Sequence, residues 1–317
     1  MLSFRTFCNT DPPLLLSIWR SRAGQRGLLQ PITVDLLEQL VFAKLYFDYQ
    51  GLFMASLDEQ AVGFAHAGFG PNEPQDAVTT ERGVVSMLMV RAGAENSGAA
   101  EGLLEHCEAY LKHRGARILY GGGIQPLNPF YLGLYGGSEL PGILQSDTVA
   151  SGLFRTHGYE EVDQTLIMQR SLEGFQVPVD RQQLQYRRQM AVDVTVDAPA
   201  ATWWQACTTG DFDLTRFQVK PRGGGQVLAE AVFRSMDPTG AGAFVRTAGL
   251  LNLTVQAEYR RKGLGQFLLA EAFQGFLRQG IMQVEAQTVS NNTAAVKLLA
   301  KLGFQPTDQG IVFRKQV

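Results

Sequence analysis

A β-branched strand, a basic turn with two glycines and an amphipathic helix meet at Val255-Gln256-Ala257-Glu258-Tyr259-Arg260-Arg261-Lys262-Gly263-Leu264-Gly265. No other stretch of the chain limits its fold as strongly. The glycines let the backbone curl until several N–H groups converge on one point. The first turn of the helix adds N–H donors that have no acceptor inside the helix, together with the positive end of its dipole. Arg260, Arg261 and Lys262 place three cations around the same point. Such a junction is a cradle for an anion the size of a pyrophosphate. Its spacing is neither the G-x-G-x-x-G of a dinucleotide fold nor the G-x-x-x-x-G-K-[ST] of an ATP loop.

The residues downstream keep the alternation of helix and strand. Leu269, Phe273, Phe276 and Leu277 form an apolar stripe on a helix expected over Leu264–Gln279, which Gly280 ends. In the strand Ile281–Val289, Met282, Val284, Ala286 and Thr288 alternate with Gln283, Glu285 and Gln287. Asn291 and Asn292 are good caps for a helix with Ala295, Leu298, Leu299 and Leu302 on one face. Gly303-Phe304 closes it, and a last strand runs over Gly310–Gln316. Upstream, Gln226–Met236 and Thr247–Val255 read as strands.

The first half of the chain carries a worn copy. A strand Gly83–Val90 leads into Glu95-Asn96-Ser97-Gly98-Ala99-Ala100, which sets Gly98 over Gly263 and Ala100 over Gly265. A helix with Leu103, Leu104, Cys107 and Leu111 follows, then a strand Ala116–Tyr120. Asp147-x-x-Ala150-x-x-Leu153-Phe154-x-x-His157-Gly158-Tyr159 overlays Asn292 to Phe304. The first motif pair is offset by 165 residues and the second by 145, so the first copy holds an insert of about 20 residues. That insert, around 126–142, mixes aromatics with Gly and Pro. It reads as an ordered loop, either a lid over a substrate or, more commonly for such loops, a packing element between domains. Glu95 stands where the second copy has a cation, so the first cradle repels an anion.

The chain of 317 residues suits two domains. The expected division is 1–172, a linker over 173–187, and 188–317. Net charge is −2, but residues 1–172 hold 12 Lys/Arg against 18 Asp/Glu and residues 173–317 hold 16 against 12. The basic half is the half with the basic cradle. Without clustered basic residues or a high pI, a nucleic-acid partner is not expected. No long apolar run or leader pattern points to a membrane or to export. Three scattered cysteines, Cys8, Cys107 and Cys207, fit a reducing, cytoplasmic compartment and no metal site.

Arg260-x-x-Gly263-x-Gly265 resembles the acyl-CoA signature of the Gcn5-related N-acetyltransferase superfamily. Asn292-x-x-Ala295-Val296-x-Leu298-Leu299-x-x-Leu302-Gly303-Phe304 resembles its second signature. Two copies in series are similar to the tandem, mycothiol synthase-like plan of that superfamily. The resemblance implies an α+β fold of two such domains, each a mostly antiparallel, splayed mixed sheet flanked by helices. It implies acetyl-CoA as acyl donor and an amine, on a small molecule or a protein, as acceptor. Residues Arg260, Arg261, Lys262, Gly263, Leu264 and Gly265, with Asn292, would hold the cofactor. Leu253, Thr254 and Val255 lie on the strand that pairs with the pantetheine arm in the family.

One departure stands out. Leu299 occupies the position where the family often has a tyrosine that protonates the leaving thiolate. All four histidines, His66, His106, His113 and His157, are in the first half, so the carboxylates Glu285 and Glu230 are the expected candidates for a base. Glu285 shares a strand face with Gln283 and Gln287 and would act through ordered water. Each carboxylate is otherwise an ordinary polar strand residue. Two functions follow: an acyl-CoA-dependent N-acyltransferase, or a non-catalytic CoA-binding sensor or scaffold, which the loss of the tyrosine favours.

Overall fold

The computed structural model describes residues 1–236 and 245–317. In chain order they form β1 (Leu2–Thr6), α1 (Pro12–Ser21), α2 (Val34–Leu37), β2 (Leu52–Leu57), β3 (Gln60–Pro71), β4 (Val78–Val90), α3 (Ala99–His113), β5 (Ile118–Gly121), β6 (Ile143–Leu144), α4 (Thr148–Thr156) and β7 (Glu160–Ser171). There follow α5 (Arg181–Gln189), β8 (Met190–Val196), α6 (Trp203–Thr209), β9 (Leu214–Pro221), β10 (Ala229–Ser235), β11 (Thr247–Val255), α7 (Leu264–Arg278), β12 (Gln283–Val289), α8 (Thr293–Lys301) and β13 (Gln305–Gln316). The chain makes two compact units, and neither is one continuous stretch. Unit 1 is Met1–Thr165 with Ala200–Asp211 and Asp308–Val317; unit 2 is Leu166–Pro199 with Phe212–Thr307.

In unit 1 the strand order is β1-β2-β3-β4-β5-β13. β4 and β5 run parallel over Arg82–Val85 and Ile118–Gly121, and the neighbouring pairs are antiparallel. In unit 2 the order is β7-β12-β11-β10-β9-β8, with β11 and β12 parallel. One helix fills the face of each sheet. Ala99, Ala100, Leu103, Leu104, Cys107 and Leu111 recur at helical spacing and bury α3 against Val62, Ala65, Val85 and Leu88. In unit 2, Leu264, Phe267, Leu268, Phe273 and Phe276 do the same for α7 against Phe217, Ala231, Phe233 and Ala248.

The repeat read from the sequence is also a repeat of backbone detail. In unit 1, His66 faces Met87 while Ala67 faces Val85, so Ser86 is an extra residue in β4. In unit 2, Val232 faces Asn252 while Phe233 faces Leu250, so Leu251 is the extra residue in β11. These two bulges keep the 165-residue offset of the glycine turns. Asp147 accepts from the Ala150 N–H at 3.0 Å and Asn292 from the Ala295 N–H at 3.2 Å, so the helix caps keep the 145-residue offset. Each cap supplies an acceptor to a first-turn N–H that has none inside its helix.

Three elements lie elsewhere than the linear reading places them. The stretch 173–187, expected as a linker, contains most of α5, whose Gln183 and Tyr186 are buried in unit 2. Helix α6, at the front of the second half, belongs to unit 1, where Trp204 is buried and its Nε1 donates to Pro126 O at 2.8 Å. The loop 126–142 packs inside unit 1. Phe130 stacks on His66 with centroids 4.1 Å apart, and the Tyr131 hydroxyl lies 3.1 Å from His66 Nδ1. Gly68 leaves room on β3 for this, since a Cβ there would sit 2.6 Å from the Phe130 ring.

Candidate functional site

The turn between β11 and α7 has two residues in the left-handed region, Arg261 at φ 57° and Gly263 at φ 78°. Gly263 is also the N-cap of α7, with ψ 3°. Its φ is one that side chains with a Cβ avoid. Gly265 is needed for another reason. A Cβ there would lie 3.3 Å from Leu298 on α8 and 3.5 Å from Val255 on β11, so the bare glycine lets the start of α7 sit close to both. Arg260 Nε donates to Val255 O at 2.9 Å and ties the turn to the end of β11. Arg261 and Lys262 are exposed and form no salt bridge among the described residues. Helix α5 reaches the same turn from behind. Tyr186 Oη donates to Lys262 O at 2.6 Å, and Gln183 Nε2 donates to Gly263 O at 3.2 Å.

Beside the turn the sheet opens. The β11–β12 ladder pairs Thr247–Leu250 with Gln283–Ala286 and stops there, although β11 runs on to Val255 and β12 to Val289. On its other side β11 stays paired with β10 as far as Val255↔Ala229. Residues 251–255 therefore present one unpaired backbone edge to the gap, a template for an extended ligand. Leu253 and Val255 turn their side chains to the core under α7. Thr254 is exposed.

The two candidate carboxylates differ in setting. Glu230 on β10 is paired with Thr254 on β11, beyond the point where β11 and β12 separate. Its side chain keeps 28% of its exposure. Gln218 Nε2 donates to Glu230 Oε2 at 2.6 Å, and Arg216 Nε lies 3.7 Å from the same oxygen. Glu285 is 3% exposed and lies within the paired part of the ladder, opposite Gly249. Gly249 in turn pairs with Arg234, which is also 3% exposed, so a buried carboxyl group and a buried guanidinium side chain sit in one row with a glycine between them. Gln169 Nε2 donates to Glu285 Oε2 at 2.6 Å. Asn292 caps α8, and Leu299 is a core residue at 3% exposure.

Unit 1 repeats the turn and changes its chemistry. Gly98 caps α3 with φ 80° and ψ 3°, within a few degrees of Gly263. Glu95 accepts from Arg22 Nη1 at 2.9 Å and from the Gly93 N–H at 2.8 Å. A carboxylate of the chain itself thus engages a cation and an N–H group beside this turn.

Sequence reasoning singled out the turn, the strand and the cap, and the structure brings Leu253, Thr254, Val255 and Arg260 to Gly265 together at one end of β11. It missed Tyr186 and Gln183, because Arg181-Gln182-Gln183-Leu184-Gln185-Tyr186-Arg187-Arg188-Gln189 is polar nearly throughout and shows no apolar stripe. It also missed the bulge at Leu251 and the Gln218–Glu230–Arg216 group, whose members meet only through register.

A parallel strand pair that opens past a bulge, with a left-handed glycine turn at the head of the next helix, is an α+β architecture built twice here. The chain belongs to the Acetyltransferase (GNAT) family, which it matches over residues 24–135 and again over 185–304. Its fold is similar over 100% of its length to a tandem GNAT protein from the clavulanic acid biosynthesis pathway, of which 98% is covered, with TM-score 0.69 and 15% identity. It is also similar to a GCN5-related N-acetyltransferase from Sphaerobacter thermophilus, with TM-score 0.64, 14% identity, and 99% and 95% of the two chains covered. A glucosamine N-acetyltransferase region in a fungal multi-domain GH3 β-N-acetylglucosaminidase matches with TM-score 0.72 and 14% identity, covering 99% of this chain and 38% of that one. No curated protein matches in sequence. No helix among the described residues is long and apolar enough to cross a membrane.

Proposed function

We propose that the chain is an acyl-CoA-dependent N-acyltransferase that uses acetyl-CoA and binds it at the β11–α7 turn of unit 2. The observation that carries this is the pairing, in one place, of an open backbone edge on β11 with an anion turn whose Arg261 and Lys262 form no salt bridge among the described residues. The turn fits the group. Gly263 supplies the left-handed residue, the N–H groups at the head of α7 lack helical acceptors, and Arg261 and Lys262 are available to phosphate oxygens. Leu253, Thr254 and Val255 offer the edge that would take the pantetheine arm. Asn292 keeps α8 in register beside the gap. The turn of unit 1, with Glu95 and Arg22 beside it, binds the same ligand more weakly.

Bound acetyl-CoA supplies a thioester whose carbonyl an amine can attack. The chain must take a proton from the ammonium of the acceptor and steady charge on the thioester oxygen. Glu230 is the better placed of the two carboxylates for the first task, being accessible and paired with Thr254. Gln218 and Arg216 hold its Oε2 and leave Oε1 for a proton. Glu285 would need a water chain to reach the gap, since it is buried against Gln169. Unpaired N–H groups of β11 past Leu251 are the donors available to an oxyanion. Leu299 offers no hydroxyl, so the thiolate takes its proton from water. The acceptor is an amine of a small molecule or a protein, met in the cytoplasm, where the three free thiols stay reduced.

Titration of the whole protein with acetyl-CoA, followed by a panel of amines with thiol release as readout, tests the reading. Saturable binding with turnover of at least one amine is the expected result. Binding without turnover of any amine would leave the sensor or scaffold reading in its place.

A further inference from the structure

Among the described residues, the hydrogen bonds from helix α5 to the anion turn go to its carbonyls, and that bears on where the turn's N–H groups point. In a trans peptide the C=O and the N–H face opposite ways. Tyr186 Oη holds Lys262 O at 2.6 Å, which aims the Gly263 N–H away from α5. Gln183 Nε2 holds Gly263 O at 3.2 Å, alongside the helical bond from Phe267 N at 3.0 Å, and this aims the Leu264 N–H the same way. These two N–H groups have no acceptor within α7. Glycine at 263 is conformationally permissive, so an anchor outside the turn helps to hold the one orientation seen, with Arg261 and Gly263 both in the left-handed region.

The anchors are themselves fixed. Tyr186 is 8% exposed and its ring lies 5.7 Å from that of Phe267 on α7. Gln183 is 2% exposed, and its Oε1 has no partner among the described residues, where its amide is held through Nε2 on Gly263 O. Asp180 accepts from the Gln183 N–H at 2.8 Å and sets the first turn of α5. The turn of unit 1 is held by a different device, the Glu95 carboxylate on Gly93 N–H and Arg22.

We infer that Tyr186 and Gln183 are positioning residues that preorganise the Gly263 and Leu264 N–H groups for a pyrophosphate, so that α5 sets the affinity for the nucleotide half of the acyl donor. The inference rests on the reading of this turn as the acyl-CoA site. Donors already aimed at a ligand cost no reorganisation when it arrives.

The test uses the full chain and two ligands. Acetyl-CoA carries the pyrophosphate; S-acetylpantetheine carries the thioester arm without it. Tyr186→Phe keeps the ring and removes the donor; Gln183→Met keeps the length and removes the donor. Each should weaken acetyl-CoA binding, measured by calorimetry, by about fivefold to tenfold, the effect of losing one hydrogen bond. Binding of S-acetylpantetheine, followed by ligand-observed NMR, should stay unchanged. A purely structural role would weaken both ligands alike, and that result, or unchanged acetyl-CoA affinity in both variants, overturns the inference. If Tyr186→Phe does not fold, Gln183→Met alone decides. If the parent protein itself does not bind acetyl-CoA, the site reading fails first and takes this inference with it, an outcome distinct from a parent that binds and variants that match it.

Discussion

Gly98 and Gly263 share one backbone conformation at the heads of α3 and α7, yet only Gly263 follows two exposed cations, Arg261 and Lys262. A Cβ at Gly98 would find its nearest neighbour at 3.7 Å, and one at Gly263 would lie 3.2 Å from Gln183 Nε2, so neither site is closed by sterics alone. The cost of alanine at each is mainly that of the left-handed region, about 1–2 kcal/mol. Urea unfolding should show that loss in both Gly98→Ala and Gly263→Ala. Only Gly263→Ala should weaken acetyl-CoA; equal weakening by both would mean that the two turns bind alike. The carboxylates separate in the same manner. Glu230→Gln should lower turnover by about 10²-fold at unchanged Tm. Glu285→Gln alters a buried side chain and the acceptor of the Gln169 amide, so it should cost about 1–3 kcal/mol of stability. A hundredfold fall in turnover at full stability for Glu285→Gln would reverse the two assignments.

The loop 126–142 and β3 act together as one element of unit 1. Phe130 stacks on His66, Phe47 meets the same ring edge-on at 5.5 Å, and Tyr131 approaches Nδ1. Burial pushes His66 from its ordinary 6.5 down to about 3. The folded state therefore keeps the ring neutral where the unfolded chain protonates it. The stability this represents is complete above pH 6.5 and is lost as pH falls from there toward 3. Thermal unfolding followed by circular dichroism should show a steeper fall in Tm between pH 6.5 and 4 for the parent than for His66→Gln, which has no proton to take up. Parallel curves would mean that carboxylates alone set the acid limit. This loop was legible as an ordered insert from its aromatic and Gly/Pro content. Its packing against Gly68 was not, because spacing within the loop carries no information about which strand leaves a gap.

The two units trade segments, and this affects what any fragment can do. Asp308–Val317 belongs to unit 1, where Phe313 is fully buried, stacks on Phe154 at 5.5 Å, and is followed by Lys315, which pairs with Glu108 at 2.8 Å. Removing residues 308–317 takes Phe313 from that core, a loss of about 3–5 kcal/mol for the one side chain. Limited proteolysis should cut a 1–307 chain within unit 1 far faster than the parent, and equal resistance would show that unit 1 does not need its last strand. Likewise, a fragment over 188–317 lacks Met168, Leu172 and Tyr186 of the unit 2 core. The sequence alone determined what short spacing can encode. The glycine turns before α3 and α7, the apolar stripes of those helices and the caps at Asp147 and Asn292 follow from contacts within a few residues along the chain. It also determined the repeat, because both copies need the same turn. Only the tertiary structure decided that β13 completes unit 1, that α6 belongs there too, that α5 braces the turn and that Glu285 is buried while Glu230 is not. Those outcomes depend on strand register and on pairings between distant segments, which local periodicity leaves open.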